Sequence, residues 1–500
     1  MLNPAPEDSP ISNLAVRTRH QMRAAYQSGG GRLFGLTHLY AIGGAWEQSS
    51  PENRFEAPGN ESVITAGGEP AYTVRWNTPA DTRARIESFS SFASDALRLP
   101  DGIALDLGLL VDASQGKAEP ETGPAPGSIS WVSPTPRAGI AVLVPGFPRA
   151  VLRGGYTRTW SPLAGRDLDF ANPDALSALV YSAQTGQLVE RFGGAYSSIS
   201  PALKRPYADE FHTGLDVSLP RQSTFSVTLL RRDQKDEIAA VNTGVPASSY
   251  YPVAITDPGP DFMAGTFDDQ ELTVYAQNPA TLGHDQYLLS NPAGLRELTE
   301  AIIAAAGTRY GTLALRASFT AEKSFGPTNP GNGLWENDPG IVGAIYSNPN
   351  TLINATGHPF LDRDFVGKLQ AAWEAPRRLG GVRVASDINY LDGLPFAREL
   401  LVTGLPQGPF LVDTTLRGNP GDGNRAEYVF NWNLRMSREL PARVGRVELF
   451  ADLLNVLNNG NTILQNDLSG PLFNDRPALE IPPPRTLNIG LHWRFGAGAR

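Results

Sequence analysis

Residues 485–495 read RTLNIGLHWRF. Leu487, Ile489, Leu491, Trp493 and Phe495 are apolar, and Asn488, Gly490, His492 and Arg494 between them are small or polar. Alternation with a period of two marks a strand with one apolar and one wet face. A tilted strand of roughly 9–11 residues also crosses a bilayer, and a closing aromatic pair suits the interfacial girdle of a membrane barrel. One strand does not separate such a barrel from a soluble sandwich, so the rest of the chain decides.

Composition narrows the choice. The chain has 500 residues, 41% of them hydrophobic, and a mean hydropathy of −0.24, which is too polar for a helical membrane protein. No run approaches the roughly 18 apolar residues of a membrane helix. A β-barrel stays open, because lumen-facing residues dilute each strand. The chain has no cysteine, hence no disulfide frame and no thiolate metal site. With 51 Gly and 42 Pro it is rich in turns and loops. A net charge of −9 argues against a general nucleic-acid binder. The opening MLNPAPEDSPISN shows neither the basic nor the apolar region of a signal peptide.

Strand-like alternation recurs at 14–27, 33–48, 84–97, 103–113, 137–144, 149–159, 209–219, 223–232, 311–321, 362–374, 382–391, 426–438 and 445–455. In the clearest case Tyr428, Phe430, Trp432, Leu434 and Met436 alternate with Asn431, Asn433, Arg435 and Ser437. Residues 296–306 are ambiguous, since Leu298, Ile302, Ile303 and Ala306 also suit a helical face. Connection lengths settle them. Long segments at 114–136, 160–208, 233–294, 322–361, 392–425 and 456–484 alternate with short ones at 145–148, 220–222, 307–310, 375–381 and 439–444. Outer-membrane barrels have short periplasmic turns and long extracellular loops. A helix at 296–306 would break the alternation, so this segment is read as a strand. No repeat of roughly 40–50 residues suggests a propeller.

The expected fold is all-β: an antiparallel transmembrane β-barrel, incomplete at roughly 15 strands against the about 22 of large outer-membrane transporters. Single-chain bacterial barrels keep both ends on the periplasmic side. Counting back from Phe495 makes the strand 14–27 run from outside inward, so the expectation is a curved, unclosed sheet or a forced closure against the first strand.

The chain resembles the C-terminal barrel part of TonB-dependent outer-membrane receptors, in particular the Oar-like group. The matching stretches are Arg153-Gly154-Gly155-Tyr156, Lys204-Arg205-Pro206-Tyr207, DPGPDFMAGTFDD at 257–269, NPGNGLWEND at 329–338, ELFADLLNVLNNGN at 448–461 and PPRTLNIGLHWRF at 483–495. The resemblance covers nearly the whole chain. It implies a twenty-two-stranded barrel filled by an N-terminal plug, with a TonB-box that couples it to the inner membrane. No plug, TonB-box or signal peptide is visible in residues 1–500, and GAGAR follows Phe495 where such receptors commonly end on the aromatic.

Candidate chemistry is sparse. Asp257, Asp261, Asp268 and Asp269, with Thr266, offer hard oxygen ligands for Ca²⁺, without EF-hand spacing; the alternative is a solvated acidic loop. No other cofactor is expected. HExxH, GxSxG, P-loop and GxGxxG motifs are all missing, so no enzyme is expected. Arg316, Arg383, Asp387, Asn431, Asn433 and Arg435 would face the lumen, either touching plug and solute or forming cross-strand salt bridges; the second reading is preferred. Trp373, Trp432, Trp493, Tyr390 and Phe495 would serve as girdle residues.

The functional expectation is a receptor barrel in the outer membrane of a Gram-negative-type bacterium. It would take up an unidentified solute with energy coupling when intact. Its partners would be outer-membrane lipid and, where the intact receptor carries them upstream, TonB and a plug domain; no nucleic acid is expected. The alternatives are a passive barrel or adhesin with partner-binding loops, and a soluble all-β protein with Leu487, Ile489 and Leu491 facing water.

Overall fold

Long strands run back and forth in one antiparallel sheet, each paired with its neighbours in sequence. The computed structural model describes residues 11–495 apart from 34, 124–126, 171, 329–347, 377, 379, 419–424 and 442–445. The motif at 329–338 and the segment GAGAR lie outside the described residues. The main sheet holds 17 strands, two of them the short pieces Gly31–Leu33 and Thr356–Gly357. The long ones are β1 (Ser12–Gln27), β2 (Leu36–Glu56), β3 (Ala80–Leu99), β4 (Ile103–Ala118), β5 (Ile129–Val144), β6 (Phe147–Trp160), β7 (Tyr207–Leu219) and β8 (Ser223–Lys235). They continue as β9 (Glu297–Tyr310), β10 (Leu313–Pro327), β11 (Phe365–Glu374), β12 (Val382–Leu391), β13 (Val429–Pro441), β14 (Arg446–Leu454) and β15 (Thr486–Arg494). Among the described residues, β1 pairs only with β2, β15 only with β14, and the two edges do not pair with each other.

Every alternating segment of the sequence forms a strand, including the ambiguous 296–306. That segment is β9, with Val227 opposite Ala304 on one side and Ala304 opposite Phe319 on the other. Connections alternate along the whole chain, so all long ones emerge at one end of the sheet and all short ones at the other.

Register separates the two faces. Ala317, Leu369, Ile388 and Trp432 stand opposite one another on successive strands. One residue along, the opposed series is Arg316, Gln370, Asp387 and Asn433, and two residues further Ser318, Lys368, Asn389 and Asn431. A pleated strand sends neighbours to opposite sides, so one face is apolar and the other polar. The apolar face is bare: Leu487, Ile489 and Leu491 are 60%, 78% and 58% exposed. A contiguous apolar band of this kind suits lipid and not water. Aromatics mark both borders, with Trp373 and the tilted pair Trp493/Phe495 near the short turns and the stacked Tyr390/Tyr428 near the long loops.

Several boundaries differ from the sequence reading, as where β9 runs on to Tyr310 and β10 to Pro327. Residues 114–136 are not all loop, because β4 runs to Ala118 and β5 begins at Ile129. Ala118, Ile129 and Trp131 are buried there with Leu163 and Leu168 of the next long connection, and this cover keeps the strands paired above the apolar band. Strand β2 likewise extends to Glu56. Asp362 precedes its strand, which starts at Phe365.

Apart from the cluster on β3 to β5 and single residues such as Ala150, Ala208 and Val429, the buried core is outside the main sheet. It lies in small apolar clusters among the long connections, such as Val74, Ala178, Val180, Val189 and Leu282, or Val274, Leu400, Val402 and Val412.

Candidate functional site

The long connections build one head above a polar-lined sheet. Strand Glu69–Trp76, between β2 and β3, pairs with Ser177–Ser182, between β6 and β7, and both belong to a four-stranded sheet with Glu61–Ala66 and Leu188–Gly193. Ala239–Asn242 and Ser197–Ile199 flank Tyr287–Ser290 in a second small sheet. These short apolar runs have too little surface to fold alone, and each buries its face against a run from another loop.

Polar contacts lock the head. The Arg398 guanidinium binds both oxygens of Asp257, donates to Ser469 Oγ at 2.6 Å, and joins three loops. Arg398 and Asp257 are 1% and 2% exposed. Asn350 accepts from Tyr275 N at 2.8 Å and donates to Tyr275 O at 2.7 Å. Gln407 accepts from Gln277 N and donates to Tyr275 O, at 2.9 and 2.8 Å. Tyr72 Oη donates to the carbonyls of Gln407 and Pro409 at 3.0 and 2.8 Å. The amides of Glu121 and Thr122 donate to Asp174. Each long connection is thereby tied to another.

Buried acids sit inside this head. Glu190 accepts from Tyr287 Oη at 3.0 Å, while Asp285 accepts from Asn242 Nδ2 and Arg191 N. Burial, with the nearby Asp285 charge, pushes the Glu190 carboxyl up to about 7. Burial likewise raises Asp285, and it raises Asp169 to about 7. Asp362 goes the other way: burial works against its charge, but hydrogen bonds from His358 and Arg425 hold the carboxyl low.

His358, Asp362 and Asp364 form the one metal-like grouping among the described residues, with ligand atoms within 4.8 Å of one another. Arg425 occupies it, at 2.7 Å from Asp362 and 2.8 Å from Asp364. A metal ion there would have to displace the guanidinium.

The four aspartates expected to gather do not act as one set. Asp257 is committed to Arg398. Asp261 accepts from Met263 N at 2.8 Å, Asp269 from Gly265 N at 2.6 Å, and Asp268 from Thr266 Oγ1 at 2.6 Å, all at the tip of the hairpin Tyr250–Asp257/Gln270–Gln277. Gly259 fits that tip because its φ is +71° and a Cβ would strike Asp268. A cation at the tip would have three carboxylates to choose from.

On the polar face, Arg435 lies opposite the Asp452 strand position, reaches its carboxylate at 3.3 Å and covers the Phe450 ring at 4.2 Å. Arg383 meets Glu374 at 3.1 Å, and Asp387 accepts from Gln370. Asn433 accepts from Asn455 N, and Asn455 donates to the carbonyls of Asn459 and Pro483. The sequence Asn455-Val456-Leu457-Asn458 thus ends β14: both asparagines take positive φ, 48° and 53°, and Asn458 accepts from Arg485 N ahead of β15.

A family model described as TonB dependent receptor-like, beta-barrel, matches residues 8–275. The chain belongs to the TonB-dependent receptor-like β-barrel family. Solved structures of low sequence identity share the fold of this receptor barrel. It is similar to the outer membrane transporter YddB from Escherichia coli, at 14% identity and a TM-score of 0.57 over 95% of this chain and 54% of that one. It is also similar to the ferripyoverdine receptor of the outer membrane of Pseudomonas aeruginosa, at 11% and 0.54 over 98% and 50%. For the ferric citrate transporter FecA the values are 10% and 0.52 over 96% and 55%. The receptor barrel therefore spans about half the length of these structures. No curated protein matches it by sequence.

Arg398, Tyr72, Asn350, Gln407 and Glu190 carried no signal in the sequence. They lie in aperiodic loops, and their partners are far away along the chain.

Proposed function

We propose that this chain is the C-terminal part of an outer-membrane TonB-dependent receptor that captures a solute at its loop head and imports it with energy from the inner membrane. The observation that carries the reading is the one-sided head: all long connections meet at one end of the sheet and are tied together above a polar face. Such a head can close over a ligand and still be anchored by every strand pair. The remaining strands and the plug would come from the part of the receptor outside residues 1–500, in keeping with the half-length cover of the solved structures. TonB and the plug are then partners, and the outer membrane of a Gram-negative-type bacterium is the location. The solute is not specified by the head.

Cysteine labelling tests the placement. Phe267→Cys at the hairpin tip should react with a membrane-impermeant maleimide on intact cells, and Asp101→Cys in the β3–β4 turn should react only after lysis. Equal labelling of both would overturn the orientation. Uptake of a labelled solute that survives collapse of the proton-motive force would overturn energy coupling. That result would favour a passive barrel or adhesin, a reading supported by the exposed Phe262, Met263 and Phe267 at the same tip.

A further inference from the structure

Four asparagines crowd the turn that follows β14, at positions 455, 458, 459 and 461. The side-chain carbonyl of an asparagine is open to attack by the backbone nitrogen of the next residue, which closes a cyclic imide. A nitrogen already committed to a hydrogen bond must first give that bond up, and the cost opposes the attack.

Hydrogen bonds silence three of the four. After Asn455 comes Val456, whose N–H donates to Trp432 O at 2.8 Å. The Asn455 side chain is itself buried and donates to the carbonyls of Asn459 and Pro483. After Asn458 comes Asn459, whose N–H donates to Asn455 Oδ1 at 2.9 Å. After Asn461 comes Thr462, whose N–H donates to Glu427 Oε2 at 2.7 Å.

Asn459 differs from them. After it comes Gly460, which is exposed and whose N–H donates to no group among the described residues. No side chain stands beside that nitrogen, and nothing lies within 4 Å of where a Cβ would be. The carbonyl under attack is already polarised, because Asn461 N–H donates to Asn459 Oδ1 at 2.8 Å. A donor in that place also steadies the oxyanion that forms as the nitrogen adds to Cγ. The nucleophile is thus free and the electrophile is held by the same short turn.

We infer that Asn459 converts to aspartate and isoaspartate without an enzyme. Gly460 N bonds to Asn459 Cγ, and the Cγ–Nδ2 bond breaks. Nδ2 leaves as ammonia, carrying the proton that Gly460 N gives up. Water then opens the imide at either carbonyl, and no electrons pass to or from an outside group. Opening at Cγ yields aspartate. Opening at the backbone carbonyl sends the chain through the side chain, lengthens it by one atom and turns Asn459 O into part of a free carboxylate. That oxygen is the one Asn455 Nδ2 holds at 3.0 Å, so the turn that closes β14 is rebuilt on a longer, charged link.

The test ages the full chain in detergent micelles at neutral and at mildly alkaline pH. Peptide mass spectrometry maps the conversion, and hydroxylamine, which cleaves the imide, gives a second readout. Folding is scored separately by heat-modifiable migration. Conversion should gather at Asn459 and leave Asn458 and Asn461 of the same peptide unchanged. It should quicken with alkalinity, because the Gly460 nitrogen attacks as its anion. It should be no slower in the folded chain than in one unfolded by urea, and Gly460→Val should lose most of it while migrating as a folded chain. Slower conversion in the folded chain would overturn the inference. So would conversion spread evenly over the turn, or a folded Gly460→Val variant that converts like the wild type.

Discussion

Arg398 and Asp257 form an ion pair with almost no access to water. Such a pair adds little net stability compared with well-packed apolar residues, but removing one partner strands a buried charge at a cost of about 3–5 kcal/mol. Arg398→Met should therefore loosen the head, read as faster proteolysis within 258–269 and 403–409, and Asp257→Leu added to it should restore most of the resistance. Glu190 makes the head sensitive to pH. Its carboxyl is raised from 4.5 to about 7, so the closed head favours the protonated form. That contribution is complete below about 4.5 and is lost as pH rises through about 7. Hydrogen exchange in 177–193 and 285–290 should accelerate across this window, and Glu190→Gln should flatten its share of the slope.

At the scale of the strand, the two faces should answer differently to the same substitution. Leu434→Arg puts a cation on the apolar face of β13 and should cost about 2–4 kcal/mol at the bilayer midplane, whereas Asn431→Arg on the polar face should be tolerated. Urea titration in lipid vesicles measures both, and equal costs would contradict the assignment of faces. This is also the scale at which the sequence was legible. Period-two alternation and alternating connection lengths located every long strand, β9 included, because each depends only on nearby residues. The same local signals were blind to strands such as Glu399–Val402 and Phe410–Asp413, only four residues long, whose burial depends on Val274 in another loop. Asp257 looked like a metal ligand because the residue that claims it is 141 positions away. The Pro, Gly and Ser content of 114–136 hid strand ends whose cover comes from Leu163 and Leu168.

For the whole molecule, the number of long strands is odd, so Ser12 and Arg494 lie at opposite ends of the sheet. Among the described residues no further strand pairs with the outer edge of β1 or of β15, and in lipid each backbone group left without a partner costs several kcal/mol. If the intact receptor supplies further strands, the amides of β1 and β15 facing away from their partners should be protected from exchange in that protein and unprotected in this chain alone. Equal exchange in the two would argue that the sheet closes some other way.

The Tyr72 hydroxyl has a further consequence. It bonds to carbonyls 335 and 337 positions later in the chain, while each strand pairs with the next one made. Strand pairing can thus proceed like a zip, one hairpin at a time, with little loop to close at each step. The Tyr72 contact has no partner until β12 is laid down and the following loop has emerged. It behaves as a final clasp on assembly, and a half-inserted barrel would show its open loops to surface proteases until that moment.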